Sequence, residues 1–194
     1  MSFSVRKTAL PGVVEIVPER FGDARGYFCE TYNEAAFAKL GLPTRWVQDN
    51  HSRSNAAGTL RGLHFQTPPF GQAKLVRAGT GRIFDVAIDI RNGSPDFGRW
   101  TGIELTAEKG NMLLIPEGFA HGMLTLEPGT EVLYKVSAPY SREHDRTIRF
   151  DDPAIGIAWP AIAGAPVLSD KDRAAPRLGE IETGFAWRRA EMDR

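Results

Sequence analysis

From Trp46 to Ser137 the chain is cut into short strand-like runs that recur roughly every ten residues, with Gly or Pro breaks between them. The candidate strands are Trp46–Ser52, Thr59–Gln66, Lys74–Ala78, Arg82–Arg91, Gly98–Leu105, Asn111–Ile115, His121–Leu126 and Glu131–Ser137. Gly79-Thr80-Gly81 reads as a turn, and Asn92-Gly93 and Ser94-Pro95 punctuate another. Arg82–Arg91 is the clearest strand: Phe84, Val86, Ile88 and Ile90 alternate with Ile83, Asp85, Ala87 and Asp89. Such spacing predicts an all-β sandwich or small barrel. Upstream, Val13–Val17 is a first strand and Tyr27–Tyr32 a second, with Phe28, Glu30 and Tyr32 on one face. Asn33 is placed to cap a short helix running to about Leu40, with Gly41 just past its end and Ala36, Phe37 and Leu40 buried. After Tyr140 the pattern becomes irregular. Trp159-Pro160 and Pro166 mark a tail laid over the barrel, and Ser169–Asp172 is a charged loop able to start a helix. Neither a repeat nor a domain boundary is visible, so one domain is expected over 1–194, with residues from about 176 at its periphery.

A chain of 194 residues with 42% hydrophobic content is long enough for one substantial core. Its formal net charge of zero argues against a general nucleic-acid or membrane-surface binder, and leaves room for a small basic pocket. Cys29 is the single cysteine, so no intrachain disulfide forms, which fits a reducing cytoplasm. The first dozen residues have no signal-like apolar core, and no run approaches the roughly 20 apolar residues of a membrane span.

Within Arg61-Gly62-Leu63-His64-Phe65-Gln66, His64 alternates with Leu63 and Phe65 and therefore faces away from both. Arg61 has the wrong parity to join His64 unless Gly62 forms a bulge, which would turn both toward one cavity. Taken alone, the stretch fits a structural histidine equally well. His121 follows a Pro116–Ala120 turn at a strand mouth, where a polar ring needs a partner. Asp85 and Asp89 are carboxylates on a largely apolar strand and need partners too, Asp85 being placed to orient His121. Tyr134 shares a face with Val132 and Val136, and Lys74 opens a strand; core packing and snorkelling account for these two equally well. His-x-His, Gly-rich phosphate loop and nucleophile elbow are all missing.

Five blocks, in fixed order, carry a family resemblance: Gln48–Ser52, Arg61–Gln66, Phe84–Arg91, Ile115–Gly122 and Leu168–Asp172. Together they resemble the dTDP-4-dehydrorhamnose 3,5-epimerases, over about Phe3 to Ala175. The resemblance implies a cupin-like jelly roll, a homodimer, no metal and no redox cofactor, and a role in making dTDP-L-rhamnose. It implies that His64 is the base and Asp172 its dyad partner, with Asp170 kept as the alternative. By the same resemblance Tyr134 returns a proton to the opposite face, Lys74 stands near the developing oxyanion, and His121 with Asp85 forms a second polar pair. Arg25, Glu30, Gln48, Asn50, Arg61 and Lys171 match residues that hold the nucleotide and diphosphate, Arg25 and Glu30 from across the dimer, and Tyr140 an aromatic that stacks on thymine. There are two departures: Asp145, a ligand contact, stands where glutamate is usual, and Met123 where an aromatic is commoner.

The implied substrate carries a C4 ketone between C3 and C5. A hydrogen beside a ketone is removable because the negative charge spreads onto oxygen. A histidine held by a carboxylate, facing a tyrosine hydroxyl, is suited to inverting such a centre. A C3-only epimerase of a related sugar and a non-catalytic sugar-binding cupin are the alternatives.

Overall fold

The computed structural model describes residues 2–188. In chain order the elements are β1 (Phe3–Lys7), β2 (Val14–Pro18), β3 (Phe21–Asp23), β4 (Gly26–Phe28), α1 (Glu34–Lys39), β5 (Gln48–Ser54), β6 (Leu60–Gln66) and β7 (Lys74–Thr80). They continue as β8 (Arg82–Asp89), β9 (Trp100–Thr106), β10 (Met112–Ile115), β11 (Phe119–Thr125), β12 (Thr130–Val136), β13 (Asp145–Thr147) and α2 (Asp170–Arg173). Two antiparallel sheets dominate, ordered β1-β2-β10-β7-β12-β5 and β13-β6-β11-β8-β9. From β5 to β13 successive strands alternate between the two sheets, β8 and β9 excepted, which is the jelly-roll arrangement of an all-β, cupin-like fold.

Three apolar layers hold it together. Val76, Ile83, Ala87, Leu113, Met123 and Val132 fill the space between the sheets. On the outside of the five-stranded sheet, Leu63, Phe65, Val86, Ile88 and Ile90 are covered by Ile155, Ile157, Trp159 and Leu178. Both faces of β8 are therefore buried, one by the facing sheet and one by the tail that Trp159-Pro160 foretold. Outside the six-stranded sheet, Phe37 of α1 packs with Phe3, Ile16, Leu75, Met112 and Leu114. Asn33 caps α1 by accepting from the Ala36 amide at 3.0 Å, and Gly41 follows with φ +68°. Ser169 caps α2 in the same way, accepting from the Asp172 amide at 3.1 Å. Among the described residues no helix is long and apolar enough to cross a membrane.

Several expectations are corrected. Residues 27–32 do not form one strand: β4 ends at Phe28, and Tyr27 and Phe28 are 59% and 60% exposed on a small hairpin with β3. Tyr32 belongs to the α1 layer, its ring edge-on to Phe37 at 5.0 Å. Leu40 is exposed rather than buried, because it sits at the C-cap beyond the last packed turn. Gly79 and Thr80 continue β7 instead of turning. Strands β1, β3 and β13 escape the sequence pattern since each lies at a sheet edge or in the hairpin and offers little alternation, β1 burying Phe3 alone. Of the stretch from 176 expected at the periphery, Leu178, Ile181 and Phe185 pack onto the outer layer of the five-stranded sheet. Residues 189–194 lie outside the described residues.

Candidate active site

The site begins at a bulge. In the β6–β11 ladder His64 stands opposite His121, and Arg61 opposite Met123. Two residues of β6 therefore face one of β11. The glycine that permits this is Gly62, with φ +131°. A Cβ there would stand 2.6 Å from Gly122 Cα and 2.8 Å from the His121 carbonyl, so the two strands meet glycine to glycine. The bulge turns Arg61 and His64 into one cavity of about 320 Å³ between the sheets, as the parity argument anticipated.

His64 is held by Asp172. Its Nε2 lies 2.6 Å from Asp172 Oδ1. The carboxylate sits on α2 and is almost wholly buried. Burial alone would raise the Asp172 pKa, but the His64 hydrogen bond and charge, the Ser169 hydroxyl and the Gly62 backbone together hold it below the ordinary carboxylate value. An ionised carboxylate accepts, so Nε2 carries the proton and Nδ1 is left as the basic nitrogen. Asp170, the alternative partner, is exposed on the opposite side of α2.

Tyr134 enters the same cavity from the other sheet, on β12. Desolvation raises its pKa, so the phenol keeps its proton at neutral pH. Lys74, at the start of β7, is buried and donates to the His64 carbonyl at 3.2 Å. Burial lowers its pKa to about 8, against the pull of Asp85 and Asp145 in the opposite direction. Lys74 is therefore a desolvated cation next to the proposed base.

His121 and Asp85 do form a pair, with Nε2 2.7 Å from Oδ1. Burial lowers the pKa of His121 despite the adjacent carboxylate, keeping the ring neutral. Asp85 Oδ2 is buried with no protein partner among the described residues. Asp89 is instead saturated by Arg91 and Ser94, as a structural ion pair would be.

The mouth of the cavity is polar. Lys171 contacts Asp145, and the Tyr140 hydroxyl donates to Asp145 at 3.4 Å. Arg61, Tyr140, Asp145 and Lys171 all line it. Gln48 and Asn50 do not. Gln48 sits one step back: its Oε1 accepts from the Tyr140 amide at 3.1 Å, and its Nε2 donates to Asn50 at 2.8 Å. Arg25 and Glu30 are not brought to this chain's cavity either. Arg25 projects from the β3–β4 hairpin, paired with Asp23 and 89% exposed in its side chain.

Sequence reasoning missed several lining residues. Ser52 and Gln66 were legible from strand parity, each sharing a face with a named residue. Gln72 and Ser169 come from a loop and a helix cap, and carry no such signal. The other two histidines serve elsewhere: His51 pairs with Glu131 at the surface, and His144 bonds Ser141 and packs on Phe70. Among the described residues no group of three or more His, Cys, Asp and Glu side chains is placed to hold a metal ion.

The fold and the site together define a cupin-like jelly roll equipped for acid–base chemistry on a ligand held between its sheets. A family model described as dTDP-4-dehydrorhamnose 3,5-epimerase matches residues 7–180. A dTDP-4-dehydrorhamnose 3,5-epimerase of Sinorhizobium fredii is 52% identical over 172 residues, 89% of this chain and 88% of the relative. One from Salmonella typhimurium is 50% identical over 177 residues, 91% and 96% of the two chains. Among solved structures, dTDP-6-deoxy-D-glucose-3,5-epimerase of Legionella pneumophila in complex with dTDP-4-keto-L-rhamnose superposes with a TM-score of 0.91 at 39% identity, covering 96% of this chain and 99% of that one. The chain belongs to the dTDP-4-dehydrorhamnose 3,5-epimerase family.

Proposed function

We propose that this protein converts dTDP-4-dehydro-6-deoxy-D-glucose to dTDP-4-dehydro-L-rhamnose by inverting C3 and C5, a step in making dTDP-L-rhamnose. The observation that carries the reading is the convergence of His64, with its carboxylate, and Tyr134 on one cavity from opposite sheets. His64 Nδ1 removes the proton from C5 or C3. The electron pair moves into the ring and onto O4, where the buried Lys74 cation stabilises the enolate. Tyr134 then delivers its own proton to the opposite face of the same carbon, collapsing the enolate to the ketone. Exchange with solvent returns a proton to the phenolate and removes one from His64. Nothing is oxidised or reduced, so His64, Tyr134, Asp172 and Lys74 supply all the groups this sequence of steps uses.

Arg61 and Lys171 bring positive charge to the diphosphate, while Tyr140, backed by Gln48 and Asn50, forms the nucleoside wall. His121, oriented by Asp85, and Asp145 contact the sugar end and the mouth. Arg25 and Glu30 serve the second subunit of a homodimer. The support for this is that the β3–β4 hairpin, two residues before Glu30, leaves Arg25, Phe21, Tyr27 and Phe28 exposed, and that neither Arg25 nor Glu30 lines the cavity of their own chain. A single catalytic domain working in the cytoplasm completes the reading.

The test is solvent deuterium incorporation into dTDP-4-keto-6-deoxyglucose, read separately at C3 and C5. The double reaction places deuterium at both carbons. Label at C3 alone identifies a C3 epimerase, and no label identifies a sugar-binding protein without turnover. His64→Ala is expected to abolish incorporation at both positions.

A further inference from the structure

The family match ends at residue 180, but the described chain runs on to residue 188. Residues 181–187 form a strap that returns to the back of the cavity. The Asn92 amide donates to the Phe185 carbonyl at 2.9 Å, and the Trp187 amide to the Asn92 carbonyl at 2.9 Å, so the backbone of residues 185–187 is pinned to Asn92. Its ring lies directly on Gly71: a Cβ built there would stand 3.0 and 3.1 Å from two ring carbons. Next to it, Gly184 meets Pro68, whose Cδ would be 3.0 Å from a Cβ at 184. The strap therefore supports the loop of residues 67–73 from behind.

The other side of that loop faces the ligand. Gln72 lines the cavity and donates to the Ala138 carbonyl at 2.8 Å. The side-chain amide of Gln66 donates to the carbonyls of Phe70 and Pro139, at 2.7 and 3.1 Å, and its Oε1 accepts from the Ser141 amide. Phe70 packs on His144 with ring centroids 4.6 Å apart. Loop 67–73 thus fixes the segment 138–145, which carries Tyr140 and Asp145. We propose that Phe185 is a positioning residue for the nucleotide-binding wall of the cavity. It is not among the residues lining the cavity and acts through Gly71 and the loop on Tyr140. The proposal rests on the reading above that this wall receives the nucleotide.

The experiment compares dTDP binding by calorimetry, together with KM and kcat, in the full chain and in Phe185→Ala and Phe185→Leu. Phe185→Ala is expected to weaken dTDP binding and raise KM by between about threefold and thirtyfold, the range that packing changes remote from a ligand transmit. The kcat stays within about twofold, and Phe185→Leu, which refills the space, recovers most of the affinity. Wild-type dTDP affinity per folded molecule in Phe185→Ala, whatever its melting temperature, overturns the proposal. A fall in kcat with unchanged KM does the same, and so does a wild-type protein that does not bind dTDP. A wild type that binds dTDP but incorporates no deuterium counts against the proposed reaction alone, because the calorimetry needs no turnover.

Discussion

Asp172 Oδ1 stands 2.6 Å from Nε2 of His64, although 108 positions separate the two in the chain. The contact depends on α2, a four-residue helix capped by Ser169 that turns Asp172 inward and Asp170 outward. Asp172→Asn replaces an acceptor with a group that also donates, releasing the imidazole from its tautomer. The expected loss in kcat is about 10²–10⁴-fold, the scale of a positioned general base. Asp170→Asn should keep wild-type turnover. Equal losses in the two variants, measured by steady-state rate, would dissolve the assignment of the dyad.

Tyr134→Phe removes one oxygen and leaves the ring packing. In the proposed reaction, proton removal by His64 does not need that oxygen, whereas delivery to the opposite face does. Deuterium exchange should therefore survive better than net inversion, by about tenfold or more on the general-acid scale. NMR of the recovered sugar separates the two. If exchange and inversion fall together, Tyr134 is not the acid.

The role proposed for Lys74 predicts an alkaline limit to the reaction. Its pKa is lowered to about 8, mainly by burial, so the cation proposed to stabilise the enolate is lost as pH rises through that value. The kcat profile should fall above about pH 8, and Lys74→Arg should move that limb upward, since a guanidinium stays charged. Stability runs the other way. Between about pH 8 and 10.5 the unfolded chain binds a proton at this site that the folded chain does not, so the penalty for burying the cation is present in full below pH 8 and disappears as pH rises. Lys74→Met should accordingly be inactive but more stable at pH 7, by on the order of 3 kcal/mol, with the gain shrinking toward pH 10.5. Denaturant titrations at both pH values check the sign.

Gly62→Ala probes the bulge. The φ of +131° is strained for any L side chain, and the added methyl would meet backbone atoms of residues 121 and 122 that cannot swing aside. A destabilisation of about 1–3 kcal/mol is expected. Activity should fall further than stability accounts for, as Arg61 and His64 lose their common direction. A variant with native turnover per folded molecule would show that the bulge is dispensable.

Much was written in the chain itself. Parity along β6 turned His64 away from Leu63 and Phe65, and the glycine between Arg61 and His64 marked the bulge. Alternation along β8 separated Asp85 from the outer apolar layer, and Asn33 and Ser169 announced their helices. These are local signals: side-chain period, a permissive backbone, a capping oxygen. Local signals also misplaced the hairpin at Tyr27 and Phe28, because the weak alternation from Tyr27 to Tyr32 reads as one strand where the chain leaves β4 at Phe28.

Tertiary structure decided the rest. Only the folded chain distinguishes Asp172 from Asp170, places Gln48 on the Tyr140 amide rather than in the cavity lining, and brings Phe185 behind Gly71. The reason is physical. A sequence pattern fixes which way a side chain points from its own strand or helix, whereas the pKa of Lys74 and the tautomer of His64 depend on atoms contributed by other strands, and on the water those atoms exclude.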